Sequence, residues 1–296
     1  MTTFVLGLGA QKAGTTWLHR QISENPNVNM GFVKEYHVLD VLTIPHMFGM
    51  LRKRLDSLPA LPANADREAV LAHARRREFK WLGFYTDPEA YYDYFARLLR
   101  EDGIDLTGDI TPSYSGLSAE TLATVQRAFR DRGITVKCVF LMRDPVERLW
   151  SAVRMQRRLK LDQKPDHVFP QSEEKAVLRA MNTADARLRG TYQDTIRNIE
   201  AVFRPEDRFV CLYETLLDSP AEWARLKATV GVDLKDPDYA FKHNVSKKSA
   251  PISRDTMEQV AQTYADTYTF IRAHFPDMEI DRHWPSASLD PVRQAG

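Results

Sequence analysis

The sequence predicts an α/β fold: one domain over residues 1–296, with a central, mainly parallel sheet flanked by helices. Three observations predict it. Apolar, β-rich runs alternate along the chain with stretches of helical period. Two of those runs lead through a short turn straight into a helix, at "GLGAQKAGTT" and "LMRDPVERLW". No internal repeat interrupts them, and no stretch is long and flexible enough to be a domain linker.

The first run, "TFVLGLG", is a short strand at the start of the chain. Residues 14–25 read as a helix that stops before Asn25-Pro26. "VNMGFV" (28–33) is strand or extended chain. Residues 67–79 and 88–101 read as helices, the second opened by Asp87 as cap and Pro88 in first position. "IDLTGDI" (104–110) is a strand, residues 117–131 a helix, and "TVKCVFLM" (135–142) the strongest strand of the chain. The next helix starts at Pro145, with Asp144 and Glu147 spaced as a capping box. "RFVCLY" (208–213) is another buried strand. Residues 161–174 and 235–252 are polar and irregular, and read as loops over a site.

Composition excludes several classes. With 43% hydrophobic and 27% charged residues the chain is ordinary globular protein. A net charge of +1 gives no global field for nucleic acid or acidic membrane. Arg52-Lys53-Arg54, Arg75-Arg76-Arg77 and Arg157-Arg158 with Lys160 are local basic runs, each a solvated helix face or a rim that attracts an anion. The two cysteines, Cys138 and Cys211, lie in apolar strands and form no disulfide framework or metal motif. No basic segment precedes "MTTFVLGLG" as in a signal peptide, and no run nears the about 20 apolar residues of a membrane span. A cytoplasmic protein, with no membrane span and no nucleic-acid partner, is expected.

"GLGAQKAGTTWL" (7–18) carries the first chemistry. Gly9 and Gly14 have the spacing of a Walker loop, but Thr15 holds the place of its lysine and Lys12 lies inside the loop. Behind a strand and before a helix, the loop offers unpaired N–H groups to an anion. Gly14 allows close approach, Thr15 and Thr16 add hydroxyls, Lys12 adds a mobile ammonium, and Trp17 adds a flat face for a purine. Lys12-Ala13-Gly14-Thr15-Thr16-Trp17 resembles the 5′-phosphosulfate loop of sulfotransferases that use 3′-phosphoadenosine 5′-phosphosulfate (PAPS). The resemblance implies their P-loop-like fold, with the lysine on the oxygen between phosphate and sulfate and the other loop residues on the 5′-phosphate and adenine.

A second anion site is expected at "RDPVERLWS". Arg143 leaves a strand end, and Arg148, Ser151 and Met155 share one face of the following helix. Arg143, Asp144, Pro145, Arg148 and Ser151 resemble the same family's 3′-phosphate motif, which implies Arg143 and Ser151 as contacts. The late basic loop "KHNVSKKSAPIS" places Lys247 and Lys248 as further candidates, and the family look of "RGTYQDTI" adds Tyr192 near the cofactor.

"FVKEYHVLD" supplies a base. Lys34, Glu35 and His37 follow the first helix and return to the loop's mouth. The stretch resembles a "KExH" segment of carbohydrate and bacterial sulfotransferases, which implies Glu35 as general base, with His37 second, and a sugar or other polar hydroxyl as acceptor. "GDITPSYSG" resembles a family segment that places Asp109, Thr111 and Tyr114 in the acceptor cleft; a lysine often found at the place of Ile110 is absent. The histidines are scattered and no metal motif occurs, so no metal is expected. The alternatives are a P-loop kinase or NTPase and a non-catalytic binder of adenosine 3′,5′-bisphosphate.

Overall fold

The computed structural model describes residues 2–241 and 251–289. A four-stranded sheet, ordered β2-β1-β3-β4, has parallel neighbours throughout. β1 is Thr3–Gly9, β2 Leu106–Ile110, β3 Thr135–Met142 and β4 Arg208–Leu212. Every residue of β1 and β2 is buried, which is why these strands read as continuous apolar runs rather than alternating ones.

Parallel neighbours need crossovers, and helices supply them. α1 (Thr15–Ser23), α2 (Leu39–Thr43), α3 (Gly49–Asp56), α4 (Arg67–Ala74), α5 (Arg77–Thr86) and α6 (Pro88–Leu98) lie between β1 and β2. α7 (Ala119–Arg130) precedes β3; α8 (Pro145–Gln163), α9 (Glu173–Ala180), α10 (Ala184–Leu188) and α11 (Tyr192–Val202) precede β4. α12 (Tyr213–Leu216), α13 (Pro220–Val230), α14 (Arg254–Thr263), α15 (Ala265–His274) and α16 (Ile280–His283) complete the described chain. Buried hydrophobics from strands and helices join in one cluster. Within it Phe4 of β1 stacks on Phe129 of α7 with ring centroids 3.9 Å apart.

Four details differ from the sequence expectation. Residues 67–79 split into α4 and α5 at the triple arginine; α4 buries no residue, so no packing holds one longer helix together. α8 continues into the expected loop as far as Gln163, and α9 begins at Glu173 before that loop would end. Residues 28–33 contribute one bridge, Val28 with Leu106, rather than a strand. β4 ends at Leu212, and Tyr213 opens α12.

The order β2-β1-β3 puts a topological switch point at the C-terminal ends of β1 and β3. Open parallel sheets bind ligands at such a place. The loop after Gly9 and the turn at Arg143 both emerge there.

Candidate active site

The loop after β1 is held by its own backbone. Ala10 N–H donates to the Leu141 carbonyl at 2.6 Å, and Ala13 N–H donates to that of Ala10 at 3.1 Å. Gly14 has φ 78°, and a Cβ there would come within 2.6 Å of the Tyr213 ring, so glycine is required twice over. Gly14 also caps α1 with no side-chain bond, leaving the first-turn N–H groups without a capping oxygen. Lys12 itself sits at φ 67°, an uncommon conformation for a residue with a side chain. Its Nζ lies 3.7 Å from Met155 Sδ. Burial, then Arg158, Arg143, Arg154 and Lys34, push the Lys12 ammonium down to about 8. Cations thus surround it from several elements.

Arg143 sits at the end of β3. Its Nη1 donates to the Lys12 carbonyl at 3.0 Å, its Nη2 pairs with Glu147 at 3.3 Å, and its guanidinium lies 5.0 Å from the Tyr213 ring centroid. Below, the Tyr192 hydroxyl donates to the Arg143 carbonyl at 2.7 Å. Asp144 caps α8 as the sequence predicts, accepting from Val146 and Glu147 N–H. About two and three turns further, Ser151 and Arg154 both line the cleft. Arg154 is 8% exposed, lies over the Trp150 ring, and its Nε and Nη1 have no hydrogen-bond partner. An orphaned buried guanidinium is costly, and it is the feature of this site that most calls for an anion.

Across from the loop, the chain after α1 carries a string of proton-holding groups. Glu35 pairs with Lys34, and His37 Nε2 lies 3.4 Å from Glu35 Oε2. His37 Nδ1 lies 2.7 Å from Oδ2 of the fully buried Asp40. Ser113 Oγ donates to Asp40 and lies 3.2 Å from His37 Nδ1. Burial works against the His37 cation, but Asp40 and Glu35 outweigh it and raise the imidazole to about 9. Burial likewise disfavours ionised Glu35, but the His37 and Lys34 contacts prevail and hold it near about 2. At neutral pH Glu35 is therefore a carboxylate beside the His37 imidazolium.

These groups meet in one cleft of about 810 Å³. Lys12, Gly14, Thr15, Thr16, Trp17, Arg143, Ser151, Glu35 and His37 all line it, as the sequence expects. Ala13 is buried inside the loop, and Lys34 stands behind Glu35 as its ion-pair partner. Trp17 is only 5% exposed and packs against Trp223 and Tyr239, so it offers an edge more than a face.

Other expected residues lie elsewhere. Tyr192 is buried and props Arg143 from beneath rather than facing the cleft. Asp109, Thr111 and Tyr114 are wholly buried and do not line the cleft. Asp109 accepts from Thr111, Tyr114, Tyr91 and the Tyr36 N–H, while the Tyr114 hydroxyl accepts from Val38 N–H at 3.2 Å. Burial raises the Asp109 carboxyl to about 6 against those bonds. The three form the foundation under the Glu35–Asp40 segment. Lys247 and Lys248 lie outside the described residues.

Sequence reasoning missed Asp40, Ser113, Arg154 and Tyr213. Asp40 was signalled by its place three residues after His37, and Arg154 by its place three after Ser151 on one helix face. Ser113 and Tyr213 carry no signal in their spacing, because long-range folding brings them in.

No family model matches the chain, and no curated protein is significantly similar to it. Among solved structures it is similar to a sulfotransferase from Alicyclobacillus acidocaldarius: 20% identity, a TM-score of 0.55, and coverage of 93% of this chain and 96% of that one. The sulfotransferase domain of the Synechococcus PCC 7002 olefin synthase matches at 18% identity and a TM-score of 0.45, covering 89% of this chain and 94% of that one. The sulfotransferase domain from the curacin biosynthetic pathway matches at 15% and 0.43, covering 88% and 95%. With its parallel sheet, its glycine loop after β1 and its arginine after β3, the chain has the fold of a sulfotransferase.

Proposed function

We propose that the chain transfers a sulfuryl group from PAPS to a hydroxyl of an acceptor. The carrying observation is the cluster of Lys12, Arg143 and orphaned Arg154 around an uncapped helix start, opposite the Glu35–His37–Asp40 string. Such a donor has two anionic ends, and the residues fit it: loop N–H groups, Thr15, Thr16 and Lys12 for the phosphosulfate, and Arg143, Ser151 and Arg154 for the 3′-phosphate. Trp17, Tyr213, Tyr239 and Phe241 supply rings for adenine.

When bound, the donor supplies an activated sulfuryl group. Glu35, ionised and in the cleft, takes the acceptor's proton as the acceptor oxygen bonds to sulfur in line with the departing phosphate oxygen. Lys12 meets the negative charge left when the sulfur–oxygen bond to the 5′-phosphate breaks. His37 and Asp40 hold Glu35 in place. The products are the sulfated acceptor and adenosine 3′,5′-bisphosphate.

A kinase or NTPase reading is disfavoured by Thr15 at the place of the Walker lysine. A purely non-catalytic binder gives Glu35 no purpose in the cleft. Calorimetry decides between the classes. Binding of adenosine 3′,5′-bisphosphate without Mg²⁺, and none of ATP, is expected. Tight ATP–Mg²⁺ binding with none of the bisphosphate would sink the proposal. Labelled-sulfate transfer should then fall roughly 10²–10⁴-fold in Glu35→Gln with bisphosphate affinity kept.

A further inference from the structure

We infer that the acceptor carries its hydroxyl on an apolar aliphatic skeleton, not on a saccharide; this rests on the transferase reading above. The cleft lining that carries Glu35, His37 and Ser113 also carries Met47, Met50, Pro112, Met155 and Leu159, and Met155 Sδ lies 3.7 Å from Lys12 Nζ.

Three polar groups beside these apolar side chains already have partners. Glu35 is bound by Lys34 and His37, and His37 and Ser113 both meet Asp40. Arg54, one of three cations of α3, donates to the Tyr36 carbonyl at 3.1 Å and lies over the Trp81 ring. The reaction needs one acceptor hydroxyl, the one whose proton goes to Glu35. A saccharide brings several hydroxyls, and methionine and leucine walls would leave them unpartnered, each at a cost. An alkyl body meets the same walls favourably, and unbranched methionines adapt to its shape. Of the lining, Leu159 is 48% exposed, and Phe48, between Met47 and Met50 in sequence, is 59% exposed. The "KEYH" resemblance therefore speaks to the base and not to the body of the acceptor.

The test uses the full chain saturated with adenosine 3′,5′-bisphosphate. Binding of 1-butanol, 1-hexanol and 1-octanol is compared with that of glucose and N-acetylglucosamine. Affinity should rise roughly two- to fourfold per methylene, with both sugars weaker than octanol. Leu159→Glu, at a half-exposed position, should flatten that slope without unfolding the chain; Met50→Gln should do the same. A flat series, sugars that bind more tightly than octanol, or a slope unchanged in both variants overturns the inference. Bisphosphate binding together with a sugar preference removes this inference alone. Failure to bind the bisphosphate at all removes the transferase reading and this inference with it.

Discussion

Lys12 and His37 are two of only three non-glycine residues with positive φ among the described residues. Unfavourable backbone conformations persist where the surroundings enforce them, and here both sit in the cleft. Lys12 also titrates within reach of experiment. A lysine is cationic below its pKa, and this one is pushed down to about 8, so the free site loses its charge as pH rises through that value. A bound anion restores the charge. Affinity for adenosine 3′,5′-bisphosphate should therefore fall roughly tenfold between pH 7 and 9, and Lys12→Arg should be flat over that range. A flat wild-type curve would show that Lys12 does not face the anion. Arg154→Ala should weaken the bisphosphate at least tenfold, yet change adenosine 5′-phosphate little, because the proposed 3′-phosphate contacts are Arg143, Ser151 and Arg154. Calorimetry with both nucleotides checks it. At this scale the sequence shows which residues are polar and how they are spaced, but not which way they face. Lys12 and Arg143 are legible because each follows a strand end by a short turn, and Ser151 because it lies at helical spacing along the helix that starts there. Asp109, Thr111 and Tyr114 look equally functional as letters, and only folding shows that they point under the site.

Among the elements, α8 carries most of the site. It presents Ser151, Arg154, Met155 and Leu159 on one side, and its start is fixed by Asp144. That carboxylate also accepts from the Ser286 N–H at 2.9 Å and from its hydroxyl, tying α8 to the far end of the described chain. Asp144→Ala removes a helix cap and leaves buried donors unpaired. It should cost about 2–4 kcal/mol in a denaturant titration, with Asp144→Asn recovering part of the loss. Equal stability of Asp144→Ala and wild type would contradict this. The beginnings of helices were readable because capping is local chemistry: Asp87-Pro88 and Asp144-Pro145 both open helices where expected. The far ends were not, since packing decides how far a helix continues. α8 outlasts its apolar pattern, and the 67–79 pattern breaks where nothing covers it.

For the molecule as a whole, a net charge of +1 conceals strong local asymmetry. Lys12, Arg143, Arg154 and Arg189 line the cleft against the carboxylates Glu35 and Asp218. The free protein therefore carries unfavourable repulsion there that an anion relieves, so ligand and fold are linked. Adenosine 3′,5′-bisphosphate at about a hundred times its Kd should stabilise the chain by about 2.7 kcal/mol, seen as a raised Tm. Mg²⁺ should add nothing to that shift. The four-stranded sheet was legible from alternation of strand and helix because parallel strands must be crossed over by something. The apolar side chains of the cleft lining were not, because Met47 and Met50 come from one stretch of chain and Met155 and Leu159 from α8, far along it.

The bond from Arg143 Nη1 to the Lys12 carbonyl makes the two proposed anion grips one mechanical unit. In the proposed complex the jaw at one end of the ligand is fastened to the jaw at the other, with Tyr192 bracing the joint from below. The site then behaves as a caliper: it gauges the separation of two charges as well as their presence. Lys12→Ala and Arg143→Ala should accordingly be non-additive in a double-mutant cycle, since opening either jaw loosens both.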